Sequence, residues 1–355
     1  MEEKNVWKTL SETDKPIVMY GMGDGAEKIM AVFERLGIKP AAFMASDEFV
    51  RGHSFMGYQV HKLSEIQEMY GDFIIVVCFG SSLPPVMDRL YELDRQYELY
   101  APDVPVAGEE LFDENYLEEN EDKLQRVKKL LADEQSVKVL EDIISYKLTG
   151  DIKLLKDCET PTDEGWSLLK LGKEETYVDL GAYNGDTVDR FLRLTNKEFE
   201  HIYAVEPDSR SFSRMVRRNY FLGRGIFHPI NAAAWNEDTT LQFRSSGGRS
   251  SGSAMGSRYG RGRIVPVQAI KVDTLLEGKK ATLLKFDVEG SEREALEGAA
   301  QTIARYRPKL ILSVYHRSSD LLELPLKIHE MHSGYKLYLR HHPYIPAWDV
   351  ELYCL

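Results

Sequence analysis

The chain has 355 residues, 43% of them hydrophobic and 29% charged, with 14 prolines, a composition that fits a folded globular protein and excludes disordered, collagenous and low-complexity classes. At about 150 residues per domain the length points to two domains, and the longest unbroken apolar stretch, Phe73–Phe79, is far below the roughly 20 residues of a membrane-spanning helix. Net charge is −12, with residues 1–160 at −14 and residues 161–355 at +2; an acidic front half argues against a nucleic-acid partner, because phosphate binding needs a basic face.

The opening MEEKNVWKTLSETDK shows no basic region followed by an apolar core, so it does not read as a secretory signal. Three well-separated cysteines, Cys78, Cys158 and Cys354, match neither a disulfide framework nor a metal spacing, and a reducing cytoplasm is the expected setting.

The first segment predicts a strand at Ile17–Tyr20, a glycine turn from Gly21 to Ala26, and an amphipathic helix carrying Ile29, Met30, Phe33 and Leu36 that stops at Gly37. A strand at Ala41–Ala45, a helix at Ser64–Tyr70 and a fully apolar strand at Phe73–Phe79 follow, as in a parallel sheet covered on both faces. This is a small Rossmann-like unit ending near Pro105, with a truncated crossover. Its Gly21-x-Gly23-x-x-Ala26 turn, with Asp47 about twenty residues on, satisfies a dinucleotide pattern. An oxidoreductase using NAD(P), or a nucleotide-sugar-binding protein, is therefore the alternative functional reading.

Leu124, Val127, Leu130 and Leu131, then Val137, Leu140, Ile143 and Ile144, recur at three- and four-residue spacing and predict two connecting helices, with a stop at Thr149-Gly150. From Thr176 strands and helices alternate again. Strands are expected at Tyr177–Leu180, Ile202–Val205, Gly225–Ile230, Thr282–Asp287 and Lys309–Val314, with helices after Asp186, Ser209 and Ser291. Tyr335–Arg340 and Val350–Cys354 read as a closing antiparallel pair. Between Arg244 and Arg263 lies a Gly/Ser/Arg-rich loop. It is open to two readings, an exposed hairpin tip or a lid whose Arg249, Arg258, Arg261 and Arg263 recognise an anionic acceptor. The divisions expected are an accessory domain at 1–108, a helical connector at 109–160 and a catalytic domain at 161–355.

The chemistry concentrates in the rear half. In Asp179-Leu180-Gly181-Ala182-Tyr183-Asn184-Gly185-Asp186-Thr187 a strand ends in a carboxylate and two glycines let the backbone turn tightly before a helix opens. Asp179 and Asp186 flank the turn and would repel a phosphate, so a ligand bearing an ammonium or sulfonium group fits better. The next strand ends at Glu206-Pro207, where a carboxylate can accept hydrogen bonds from both hydroxyls of a ribose. S-adenosylmethionine, an adenosine with an amino acid end and a positive sulfur, meets that description. A third strand ends in Asp287, followed by Gly290 and a helix, so acids at adjacent strand tips converge on one crevice at the carboxyl edge of the sheet.

DLGAYNGDT (Asp179–Thr187), AVEPD (Ala204–Asp208), VDTLL (Val272–Leu276) and LKFDVEGSEREALEGA (Leu284–Ala299) together resemble the FkbM family of S-adenosylmethionine-dependent methyltransferases, over roughly Thr176 to the C-terminus. The resemblance implies a class I, Rossmann-like methyltransferase sheet with an antiparallel final hairpin, an α/β fold joined here to the smaller N-terminal Rossmann-like domain. It implies a cofactor site of Asp179, Gly181, Ala182, Tyr183, Gly185, Asp186, Thr187, Glu206, Pro207 and Asp287, with the glycine turn around the methionine part and Asp287 near the sulfonium or the acceptor. Family members typically methylate a hydroxyl on a sugar or polyketide-like product, so a small-molecule or carbohydrate acceptor is expected, and a homo-oligomer is admissible.

SVYHRSSDLLELP (Ser313–Pro325) and LYLRHH (Leu337–His342) look like one subgroup of that family. His316 follows a strand end, where an ordinary pKa near ~6.5 would let it take a proton from a hydroxyl; Asp287, His341 and His342 are the other candidates for that role. His316, Asp320, His341 and His342 have no spacing diagnostic of a metal, and no metal is assigned.

Overall fold

The computed structural model describes residues 5–50, 52, 54–223, 225–245 and 263–355. Arg249, Arg258 and Arg261 lie outside the described residues, and Arg263 is the exposed first residue of a strand.

The front half builds a six-stranded sheet from β1 (Ile17–Tyr20), β2 (Ala42–Met44), β3 (Ser54–Phe55), β4 (Tyr58–His61), β5 (Ile74–Val77) and β6 (Glu98–Tyr100), in the order β3-β4-β2-β1-β5-β6. All pairs are parallel except the β3–β4 hairpin. β1 and β5 are buried along their whole length, which is why both read as continuous apolar runs. The first crossover is complete, not truncated: the 13-residue helix Asp24–Leu36 buries Ala26, Ile29, Val32 and Phe33 and ends on Gly37 in the left-handed conformation. The helix Pro84–Gln96 opens with two prolines. They look like breakers in the sequence but are tolerated in a first helical turn, where no N–H is needed.

The rear half holds β7 (Thr176–Leu180), β8 (His201–Val205), β9 (Phe227–Ile230), β10 (Ala233–Ala234), β11 (Thr239–Ser245), β12 (Arg263–Ile270), β13 (Leu283–Phe286), β14 (Lys309–Ser313), β15 (Leu337–His341) and β16 (Val350–Cys354). Seven of these form one sheet, β15-β16-β14-β13-β7-β8-β9. β9, β8, β7, β13 and β14 run parallel, and β16 lies antiparallel between β14 and β15. Both members of the closing hairpin thus join the main sheet, and the C-terminal end of β15 arrives at the same edge as the ends of β7, β8, β13 and β14. β10, β11 and β12 form a separate small sheet that the sequence did not announce. The described residues contain no helix long and apolar enough to cross a membrane.

Helices Glu121–Leu130 and Glu134–Thr149 lie where the periodicity placed them, joined by short helices at Glu114–Glu119, Ile152–Asp157 and Thr162–Ser167. They cover β15, the exposed edge of the large sheet. Ser136 Oγ accepts from Leu339 N at 2.9 Å, Arg340 Nη2 pairs with Asp133 Oδ2 at 2.6 Å, and Thr160 N donates to His341 O at 2.8 Å. An edge strand covered in this way offers no free ladder for pairing with another chain.

The two halves share one apolar cluster, in which Val18, Ile75 and Leu90 of the front join Leu284, Leu312 and Leu352 of the rear through Leu140, Ile143 and Tyr146 of the connector. The front half also touches the functional edge directly. Ser81 and Ile345 exchange both backbone hydrogen bonds, at 2.8 and 3.1 Å, and Ala107 N donates to His316 O at 2.8 Å. Lys28 Nζ, buried, donates to the carbonyls of Pro105 and Val106 at 2.9 and 2.8 Å. The lysine thereby fixes the segment that leads past His316.

Candidate functional site

Register brings the acidic strand tips together. β7 is the neighbour of both β13 and β8, with Leu180 opposite Phe286 on one side and Val205 on the other. The residues that follow, Gly181, Asp287 and Glu206, therefore leave the sheet side by side.

Gly181 has φ +84°, and a Cβ there would lie 1.7 Å from the carbonyl oxygen of Asp287. No residue with a side chain fits. The N–H groups of Gly181 and Ala182 both donate to Val205 O, at 2.9 and 3.0 Å, so the turn is tied to β8 while it rests on the tip of β13. Gly185, at φ +85°, caps the helix Asp186–Leu194.

Asp179 is fully buried. Its Oδ2 accepts from the Thr187 hydroxyl, whereas Oδ1 has no partner, and burial pushes the carboxyl up to about 6. Asp186 is exposed at the helix start and its Oδ1 accepts from Thr187 N at 3.0 Å. Glu206 receives Tyr183 N on Oε2 at 2.9 Å and Asp208 N on Oε1 at 2.8 Å; burial raises it to about 7 against those two donors. Pro207 is fixed from behind by Asn231, whose Nδ2 donates to Glu206 O at 2.8 Å and Pro207 O at 3.1 Å. Ala182 is buried beneath the turn.

The residues expected to bind the cofactor thus form a single continuous structure, a glycine turn flanked by Asp179 on one side and Glu206 on the other. An orphaned carboxylate oxygen and an acidic rim suit an ammonium or sulfonium group and oppose a phosphate. These residues fit S-adenosylmethionine.

Beside this turn lies a second cluster, on the loop after β13 and the tip of β14. Asp287 Oδ2 pairs with Lys285 Nζ at 2.8 Å. Burial alone would raise Asp287, but Lys285 and His316 outweigh it and hold the carboxyl below its usual range. His316 Nε2 stands 3.6 Å from Asp287 Oδ1 and 3.7 Å from Glu289 Oε2, and Nδ1 stands 2.8 Å from Glu292 Oε1. The ring is 1% exposed, against 30% for the side chain of Asp287 and 19% for that of Glu289. Burial alone would lower the pKa of His316, yet Glu292, Glu289 and Asp287 together push it up to about 10. At neutral pH the ring therefore carries its proton, which differs from the near-neutral titration the sequence led us to expect. Three carboxylates around one imidazole are the physical reason.

His341 ends β15 at the same edge and His342 follows it, but both are fully buried. His342 Nδ1 contacts Thr160 O at 2.8 Å and Nε2 contacts Tyr353 Oη at 2.8 Å and Glu351 Oε2 at 3.2 Å. His341 is pushed down to about 3 by burial and its neighbour His342. The structure brings Asp287 and His316 together and ties His342 to the connector instead.

Glu289 and Glu292 were not singled out from the sequence. The available signal was their spacing, two and five residues beyond Asp287, on a loop that must turn back on itself: Gly290 has φ +91° and a Cβ there would meet Ala107 at 2.4 Å.

In the front half, two glycines of the Gly21–Ala26 turn, Gly21 and Gly25, are required by packing, while Gly23 has open space around it and is favoured by its φ of +135°. A Cβ on Gly21 would meet the Phe79 ring at 2.6 Å, and one on Gly25 the Cys78 carbonyl at 2.4 Å. Asp24 and Glu27 occupy the first helical turn, a poor setting for a phosphate.

Residues 179–345 match the profile of the methyltransferase FkbM domain. Among solved structures, the chain resembles the methyltransferase FkbM from Methylobacillus flagellatus KT, with TM-score 0.75 and 20% identity over 99% of this chain and 93% of that one. Looser likenesses include a SAM-dependent methyltransferase from Aquifex aeolicus, with TM-score 0.31 and 13% identity over 57% of this chain and 97% of that one. Aeropyrum pernix fibrillarin, solved with natively bound S-adenosyl-L-methionine, has TM-score 0.33 and 14% identity over 52% of this chain and 69% of that one. No sequence match to a curated protein is found.

Proposed function

We propose, from the match of residues 179–345 to the methyltransferase FkbM domain, that the protein transfers a methyl group from S-adenosylmethionine to a hydroxyl of a sugar or other small metabolite. The observation that carries this reading is the alignment of Asp179, Glu206 and Asp287 at the tips of three adjacent parallel strands around the turn at Gly181. Open α/β sheets bind ligands at that edge.

In this reading Glu206 receives the ribose hydroxyls, the Gly181–Gly185 turn carries the methionine part, and the free Oδ1 of Asp179 faces its ammonium group. Bound S-adenosylmethionine supplies a methyl carbon on a positive sulfur: the acceptor oxygen forms the new C–O bond, the C–S electron pair returns to sulfur, and the hydroxyl proton departs. The chain's own residues position the acceptor, exclude water and draw off that proton. Asp287 is the most exposed of the groups around His316, so the acceptor hydroxyl approaches on its side and the proton moves toward the carboxylates. His316, behind them, orients Asp287.

The test is methyl transfer from radiolabelled S-adenosylmethionine to a panel of monosaccharides and polyols, read as label in product and as S-adenosylhomocysteine formed. Asp287→Ala should remove turnover. Labelled product that appears only with amine or thiol acceptors would overturn the hydroxyl assignment. The protein's acidic front half favours a neutral acceptor over a phosphorylated one.

A further inference from the structure

The cluster around His316 has more donors than a proton transfer needs. Asp287, Glu289 and His316 each offer one ligand atom, and these atoms lie within 4.8 Å of one another. Two donors bound to one cation at about 2.1 Å each stand roughly 3.0 Å apart when adjacent and about 4.2 Å apart when opposite. The observed 3.6 and 3.7 Å from His316 Nε2 to the two carboxylates fall between those limits.

The imidazole gives an independent indication. His316 is buried, and its Nε2 has no hydrogen-bond partner although it points between two carboxylates. Its other nitrogen, which also makes no hydrogen bond of good geometry, stands 2.8 Å from Glu292 Oε1, so this carboxylate holds the ring by charge, on the side where a metal-ligating histidine usually meets a carboxylate. Glu292 Oε1 is itself held by Val288 N at 2.9 Å. On the far side, Lys285 occupies Asp287 Oδ2 and leaves Oδ1 facing the cluster. Three carboxylates face the imidazole, against Lys285 paired with Asp287 and Lys28 acting on Glu289, so carboxylates outnumber ammonium groups there when the imidazole is neutral.

We propose that Asp287, Glu289 and His316 bind a divalent cation, with Glu292 orienting His316. A mixed set of two carboxylate oxygens and one imidazole suits Mn²⁺ or a similar borderline ion and leaves coordination positions open. The role of the ion rests on the methyl-transfer reading above: an acceptor hydroxyl occupying an open position is acidified by the cation. Its proton then passes by way of the surrounding carboxylates to water, while the oxygen keeps its lone pair for the methyl carbon. A vicinal diol, which fills two adjacent positions at once, is the acceptor chemistry that such an ion would select.

The probe is Mn²⁺ alone, titrated into full-length protein stripped with EDTA and followed by the loss of free-ion EPR signal, without S-adenosylmethionine. One Mn²⁺ per chain is expected. Glu289→Gln and His316→Ala should each weaken it at least ~10-fold. Absence of stoichiometric binding to the folded wild type, or a Glu289→Gln protein that binds as tightly as wild type, overturns the proposal. So does a His316→Ala protein that folds by circular dichroism and keeps full affinity; if it does not fold, the wild-type stoichiometry and Glu289→Gln decide. Glu206→Ala should retain Mn²⁺ while losing S-adenosylmethionine in calorimetry, so failure of the metal site and failure of the methyltransferase reading give different results.

Discussion

Gly181→Ala is the sharpest structural perturbation available at this site. The added methyl would sit 1.7 Å from the Asp287 carbonyl oxygen, where a carbon–oxygen contact needs more than about 3 Å, so the tips of β7 and β13 must part by well over 1 Å. An alanine at φ +84° also incurs about 1–2 kcal/mol of backbone strain, and relief of the overlap adds roughly 1–3 kcal/mol. We expect a loss of about 2–5 kcal/mol in urea unfolding. Gly37→Ala supplies the control: its φ is +72° and nothing lies within 4 Å of the added carbon, so it should lose only the strain part. Because a 1 Å misplacement can cost on the order of 10² in rate, methyl transfer by Gly181→Ala should fall by at least that much even at temperatures where it stays folded. Equal destabilisation by the two variants, with turnover kept by Gly181→Ala, would refute the claim that the two strand tips are registered by this contact.

Other outcomes follow from charge and burial. Glu206 is raised to about 7 by burial and accepts ribose hydroxyls best when ionised, so affinity for S-adenosylmethionine should rise with pH through about 7. In Glu206→Gln, calorimetry should show that rise abolished between pH 6.5 and 8, roughly the span around that value. Lys147 and Asp103 form a buried pair at 2.7 Å, each side chain 3% exposed. Asp103→Ala should therefore destabilise by about 3–5 kcal/mol, and Asp103→Leu combined with Lys147→Met should recover most of it, both measured by urea unfolding. In the front domain, NADH should give no saturable fluorescence change; micromolar binding that Gly23→Val abolishes would revive the oxidoreductase reading.

Much of the architecture was legible because buried parallel strands leave unbroken apolar runs, as at Ile17–Tyr20 and Ile74–Val77. Helix ends were equally plain where Gly37 and Gly150 adopt the left-handed conformation. The strand-tip acids could be read as a group because each follows an apolar strand and precedes a glycine or proline turn. What stayed hidden depended on partners distant in sequence. The hairpin of β3 and β4 is too short to show a period, and the helix Asp320–Met331 carries Pro325 in its interior. His342 reads like a catalytic residue until Thr160, whose backbone carbonyl accepts from its Nδ1 across the connector contact, is in place. The proton affinity of His316 is likewise set by burial and by Glu292, Glu289 and Asp287, most of them distant from it in sequence.

The most direct test of the central claim is calorimetric titration of S-adenosylmethionine into the wild-type protein and Glu206→Ala, side by side. Loss of a buried charged acceptor of two hydroxyls should cost about 1.5–3 kcal/mol, so one site per chain is expected in the wild type and an affinity at least about tenfold weaker in the variant. Wild-type protein that binds no S-adenosylmethionine, or a variant with unchanged affinity, would contradict it.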